Sequence, residues 1–174
     1  FHLVGDTLSK TQSAKIDLSN SPLWHRWLQP LWAVKQTLPA VFDNAGIASK
    51  LASIDCGDIT SYRAKLLTVL RQHLAAAKTK IEQDFYRNND GAIYVGQHAR
   101  CIDDLIIFLH DEAGKLMPQS HDIAVIAVGG YGRGEMAPFS DVDVMFLMPA
   151  KTSKKHEAAI EFMLYMLWDL GLKI

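Results

Sequence analysis

Apolar residues recur at three- and four-residue steps through residues 61–87: Leu66, Leu67, Leu70, Leu74, Ala77, Ile81 and Phe85. That period predicts one long amphipathic helix. Asn88-Asn89-Asp90-Gly91 is a turn signal. Residues 92–116 then predict an antiparallel return helix, with Ile102, Leu105, Ile106 and Leu109 on its inner face and Pro118 as its stop. The pattern changes at Ile123-Ala124-Val125-Ile126-Ala127-Val128, six apolar residues rich in β-branched types, which predict a buried strand. A short helical turn is expected between this strand and Pro138. Residues 141–147 predict a second strand. Its alternation puts Asp141, Asp143, Met145 and Leu147 on one face, and Val142, Val144 and Phe146 on the other. Residues 152–170 predict a last helix, with Ser153 as N-cap and Gly171 at its end.

Upstream the pattern is weaker. Residues 1–20 are polar and rich in Ser, Thr and Lys, and predict a loose arm. Residues 22–41 carry Leu23, Trp24, Trp27, Leu28, Leu31, Trp32 and Val34 at helix-like spacing, interrupted at Pro30. The three tryptophans predict a packing stripe rather than a ligand box. Residues 43–58 show no clear element, with Gly46 and Gly57 as breakers. Three regions follow: 1–58, an arm and a Trp-rich helical segment; 59–120, a helical hairpin; and 121–174, a core of strands and helix that carries the candidate chemistry.

Composition narrows the function classes. At 174 residues, 49% of them apolar, the chain can build one solid domain, or one domain and part of a second. A net charge of −1 without a basic block argues against nucleic acid as a partner. Cys56 and Cys101 lie far apart and have no metal-ligand spacing, so no disulfide framework is indicated and a reducing cytoplasm is the expected compartment. No apolar run approaches the ~20 residues needed to span a bilayer. The first residue is Phe rather than Met, so a fragment or a processed product is expected, and that end has no signal-peptide pattern.

The candidate chemistry lies between the two predicted strands. Gly129-Gly130 breaks the first strand, and glycine lets backbone N–H groups turn toward a bound phosphate. Gly132 and Gly134 extend that freedom, and Arg133 offers a planar fork of donors for phosphate oxygens. Asp141 and Asp143, on one strand face, can hold Mg²⁺, which takes oxygen ligands from one or two carboxylates plus substrate phosphates. Taken singly, a Gly-Gly pair is more often a plain turn, and paired acids at a strand start are more often merely solvated. Glu135 is expected to pair with Arg133 or cap the short helix rather than to act in catalysis. Ser140 is expected to bond the neighbouring backbone rather than act as a nucleophile. Tyr131 is open between nucleotide contact and packing. The dipeptides His110-Asp111 and His121-Asp122 lack further ligands at metal-site spacing and are read as incidental.

A hydrophobic strand, Gly-Gly, ten residues from Tyr131 to Ser140, and then Asp-x-Asp resembles the signature of nucleotidyltransferases with the DNA polymerase β-type fold. The whole string from Gly129 to Asp143 more closely resembles the bacterial uridylyltransferases that modify the nitrogen-regulatory protein PII. Leu167-Trp168-Asp169-Leu170-Gly171-Leu172 is similar to that family's next helix end and strand. The likeness is specific from residue 123 onward, weaker from residue 61 and negligible before it.

The resemblance implies an α+β fold: an N-terminal helical region, then an incomplete nucleotidyltransferase domain with a small mixed sheet. It implies UTP as donor, a tyrosine of PII as acceptor, and Mg²⁺ held by Asp141 and Asp143. Gly129, Gly130, Arg133 and Ser140 would hold the nucleotide and its phosphates. The family's third carboxylate lies on a later strand, and Asp169 is not expected to replace it. Phosphohydrolase and glutamine-sensing domains would follow, so a piece of a larger enzyme is expected, with its own activity in question. Base and acceptor rest on the likeness alone. The alternatives are another nucleotidyltransferase of this fold, for example an adenylylating one, or an inactive module that binds a nucleotide or a partner.

Overall fold

The computed structural model describes residues 2–4, 42–52, 58–118 and 122–174. The Trp-rich segment, Cys56, Gly57 and His121 lie outside the described residues. The first helix, α1 (Asn44–Ala52), falls where no clear element was expected. Asp43 Oδ1 accepts from the Gly46 N–H at 2.8 Å, which caps the first turn, and Ile47 and Leu51 are buried on its inner side.

Helix α2 (Ile59–Asn88) starts at Asp58, whose carboxylate accepts from both the N–H and the hydroxyl of Ser61. Leu66, Leu70, Leu74, Ala77 and Ile81 of the predicted stripe are buried. Asn89, with φ 53°, ends the helix, and Asp90 at once caps α3 (Gly91–Leu116) by accepting from the N–H groups of Ala92 and Ile93. Two residues thus stop one helix and start the next, which returns along it as a hairpin. Ile102, Leu105, Ile106 and Leu109 are buried as expected. The periodicity did not show the polar groups buried with them, including Asp103, Asp104, His110 and Glu112. Each of these four has a partner: Tyr131 donates to Asp103, Arg100 pairs with Asp104, Tyr62 and Lys115 hold Glu112, and His110 Nε2 lies 2.9 Å from the Ile123 carbonyl oxygen.

The sheet holds β1 (His2–Val4), β2 (Ala124–Ala127) and β3 (Val144–Leu147), in that order. Residues 2–4 pair with β2, His2 opposite Ala127 and Val4 opposite Val125, where a loose arm was expected. Both pairings are antiparallel, so the described sheet is not the mixed one expected. The chain between β2 and β3 contains only a one-turn helix and folds straight back, whereas a parallel pair needs a crossover. The long crossover-like helix comes after β3. It is α5 (Lys154–Asp169), and it leads to Lys173, whose carbonyl accepts from the Val142 N–H at 2.7 Å without forming a further strand.

Helix α5 is capped by Ser153, in a capping box closed by His156. Its buried face (Ala159, Phe162, Met163, Met166 and Leu167) joins the cluster formed by α3, Val125 and Ala127. Among the described residues, no helix is long and apolar enough to cross a membrane.

Cys101 lies in this core, where burial pushes its thiol up to about 12. The thiolate is the reactive form. Iodoacetamide at pH 8 is therefore expected to leave Cys101 untouched in the folded protein and to alkylate it in urea, read by peptide mass. Rapid labelling without denaturant would contradict the packing of α3.

Candidate functional site

The site is built where β2 ends beside the start of β3. The Val128 N–H donates to the Asp143 carbonyl oxygen at 3.0 Å, extending the ladder one step beyond the strands proper. Gly129 follows with φ 57° and opens α4 (Gly129–Gly132), a single turn. A side chain at Gly129 is excluded twice. Positive φ disfavours it, and an added Cβ would overlap Asp143 Oδ2 and lie 3.2 Å from its Cγ. The Asp143 carboxylate thus rests against the Gly129 backbone. The turn is docked closely enough that a Cβ at Gly132 would come 2.7 Å from the Ala127 carbonyl oxygen.

Arg133 and Glu135 brace the turn. Arg133 Nη1 donates to the Gly129 carbonyl at 3.0 Å, and its Nε donates to Glu135 Oε2 at 2.8 Å. Of the roles weighed for Glu135, the ion pair is the one observed. Arg133 remains more than half exposed, so its fork is braced from within the turn while part of it faces solvent. Tyr131 turns inward. Its ring is buried and its hydroxyl donates to Asp103 Oδ1 at 2.7 Å. Burial, reinforced by the Asp103 charge, pushes this phenol well above its ordinary range. Packing is therefore the role of Tyr131, and its bond ties the Gly-rich turn to α3.

Ser140 donates its N–H to the Ala137 carbonyl at 3.1 Å, the neighbouring-backbone bond expected of it. The bond closes a four-residue turn with Pro138 second and Phe139 third. Phe139 has φ 66° and is 94% exposed. Pro at the second position and positive φ at the third mark a type II turn, whose third residue is ordinarily Gly or Asn. The sequence reading passed over Phe139, although Pro-Phe ahead of an acidic strand start was the available signal.

Asp141 and Asp143 are both exposed and Val142 between them is buried, so the two carboxylates share the solvent side as the alternation predicts. Among the described residues, no side-chain hydrogen bond or ion pair engages either carboxylate. Exposed oxygen donors without a protein partner suit a hard divalent cation such as Mg²⁺. No group of three or more His, Cys, Asp or Glu side chains placed to hold a metal occurs among the described residues. Asp169, the last acid in the sequence, is taken by Arg63, with Nη2 to Oδ2 at 2.8 Å, and its carbonyl by Arg71 at 2.7 Å. His110 is used to fasten α3 to the start of β2.

Residues 110–174, which contain the Gly-rich turn, Ser140, Asp141 and Asp143, match the nucleotidyltransferase domain family. This segment is a nucleotidyltransferase domain. The chain thus carries a transferase domain, preceded by its helical hairpin.

Similarity extends beyond the nucleotidyltransferase domain. The chain is 40% identical over 119 residues to the bifunctional uridylyltransferase/uridylyl-removing enzyme of Rhodospirillum rubrum, covering 64% of this chain and 13% of that one. The enzyme of the same name from Rhodopseudomonas palustris is 34% identical over 142 residues, 76% of this chain and 15% of the relative. That from Gluconobacter oxydans is 31% identical over 164 residues, 91% of this chain and 16% of the relative. The chain therefore spans about one-sixth or less of the length of the curated relatives it matches. The last match reaches well ahead of residue 61, where the motifs had carried no likeness. No solved structure is a significant match to the chain.

Proposed function

We propose that the chain is part of an enzyme that transfers UMP from UTP to a tyrosine hydroxyl of the PII signal protein, with Mg²⁺ held by Asp141 and Asp143. The observation that carries this reading is the Asp143 carboxylate resting against the positive-φ Gly129, beside an exposed Asp141. The Gly-rich turn and the two carboxylates thereby form one surface. The name borne by the relatives supports uridylyl as the transferred group.

The N–H groups of Gly129 and Gly130 open the turn of α4, where a helix supplies no internal acceptor, so they are available to phosphate oxygens. The solvent-facing part of Arg133 adds charge at the same end, and Glu135 keeps its fork from swinging away. Ser140, fixed by its backbone bond, sets the direction in which Asp141 leaves the turn. A phenol near pKa 10 is a poor nucleophile at neutral pH. When bound, Mg²⁺ supplies charge neutralisation of the triphosphate and activation of the attacking oxygen. The setting is the cytoplasm, with no nucleic acid or membrane as partner and with the C-terminal domains of the parent enzyme alongside.

Calorimetric titration with UTP, ATP, CTP and GTP in Mg²⁺ tests the donor. Selective UTP binding, lost in an Asp141→Ala/Asp143→Ala variant, is the expected result. A preference for ATP would point instead to an adenylylating enzyme of the same fold.

A further inference from the structure

Phe139 is a bulky aromatic in a backbone conformation that favours glycine, and its ring is almost wholly in solvent. The turn closed by Ser140 and Ala137 uses the conformation, but it has no use for the ring. The left-handed φ is costly for a residue with a Cβ, and a ring that buries nothing returns no hydrophobic stabilisation. Asn89 is the other non-glycine residue at positive φ among the described residues, and there the conformation does structural work, ending α2 with its N–H on the Phe85 carbonyl. Phe139 ends no helix. An exposed aromatic ring held at a strained turn position that glycine would fill more easily, beside a candidate site, is a reason to look for a ligand.

The position of Phe139 selects the ligand. It lies two residues before Asp141, at most about 7 Å along the backbone. A nucleotide whose phosphates meet the Gly129 turn and whose metal meets Asp141 and Asp143 can reach this segment with its nucleoside. A base has flat π faces, and an exposed aromatic ring is its natural platform. We infer that Phe139 is a binding residue whose ring stacks on the base of the nucleoside triphosphate. The turn is held in the conformation that presents the ring to solvent. The inference rests on the nucleotide site proposed above and adds to it the surface that receives the base. Stacking tolerates any base, so Phe139 contributes affinity and placement, while the choice of uracil falls to other groups.

The test uses the intact protein carrying this sequence, as wild type, Phe139→Gly, Phe139→Tyr and Asp141→Ala. Binding of UTP is measured with Mg²⁺ beside inorganic tripolyphosphate, which has no base. Glycine suits the turn better than phenylalanine, so the thermal midpoint of Phe139→Gly should not fall below that of the wild type. Its UTP affinity should drop about tenfold, with tripolyphosphate affinity unchanged, and Phe139→Tyr should keep UTP binding. Unchanged UTP affinity in Phe139→Gly, with Asp141→Ala still impaired, overturns the stacking role alone. Equal losses for UTP and tripolyphosphate overturn it as well, because the ring would then act through the turn. Absence of UTP binding by the wild type overturns the nucleotide site and this role together.

Discussion

Replacing Asp143 with Asn lowers nucleotidyl transfer roughly a thousandfold while the protein stays folded. The two halves of this expectation have separate causes. The carboxylate is exposed and, among the described residues, has no hydrogen-bond or ion-pair partner, so its loss removes no contact that holds β2 to β3. That connection is made by backbone: the Val128 N–H on the Asp143 carbonyl, and the ladder from Ala127–Val144 to Ala124–Leu147. An amide keeps the shape but gives up the charge a divalent cation requires, and interactions that offset charge at a reacting phosphate are typically worth several kcal/mol, about 10² to 10⁴ in rate. Steady-state transfer rates beside circular dichroism melts would check both halves. A variant that keeps more than a tenth of the wild-type rate would remove Asp143 from the proposed metal site.

The second large effect is expected from a single methyl group. Gly129→Ala places a Cβ where Asp143 Oδ2 now lies and asks alanine to adopt φ 57°. The conformational part costs about 1–2 kcal/mol. The steric part matters more for activity, because the Asp143 carboxylate must move by a distance on the order of an ångström, and a displacement of that size costs about a hundredfold in a positioned site. The variant should therefore lose stability modestly and activity severely. Full activity in Gly129→Ala would mean that the carboxylate position seen here is not the one used.

These expectations depend on features that were unequally legible in the sequence. The stripe from Leu66 to Ile81 and the inner face of α3 could be read because each repeats over many turns, and periodicity is a cumulative signal. The alternation through Asp141, Val142 and Asp143 was readable because a strand has a period of two and the buried side is β-branched or aromatic. The short elements were not. Residues 2–4 make a strand only because residues 124–127 offer them an edge more than a hundred positions away, and three residues carry no period. Helix α1 is nine residues long and owes its start to one Asp43–Gly46 bond.

Within the candidate site, residue types showed which groups could do chemistry but not how they are divided between chemistry and support. Tyr131 faces Asp103, 28 positions earlier, and Arg133 spends donors on Gly129 and Glu135. Both outcomes depend on where α3 and the turn meet, which no local pattern encodes. The strain at Phe139 was hidden for a related reason. Pro138 announced a turn, but the turn type is set by the backbone angles of its two central residues, and the residue at its third position is not one that type favours.

In the proposed function, the surface formed by Gly129, Asp141 and Asp143 transfers UMP from UTP to a protein hydroxyl. The most direct test of this transfer is incubation of the intact protein with PII, Mg²⁺ and nucleoside triphosphates labelled at the α-phosphate, followed by peptide mapping of the acceptor. Label from UTP on a tyrosine of PII, abolished by Asp141→Ala/Asp143→Ala, is the expected result. Label arriving from ATP instead, or label from UTP that survives loss of both carboxylates, would contradict it.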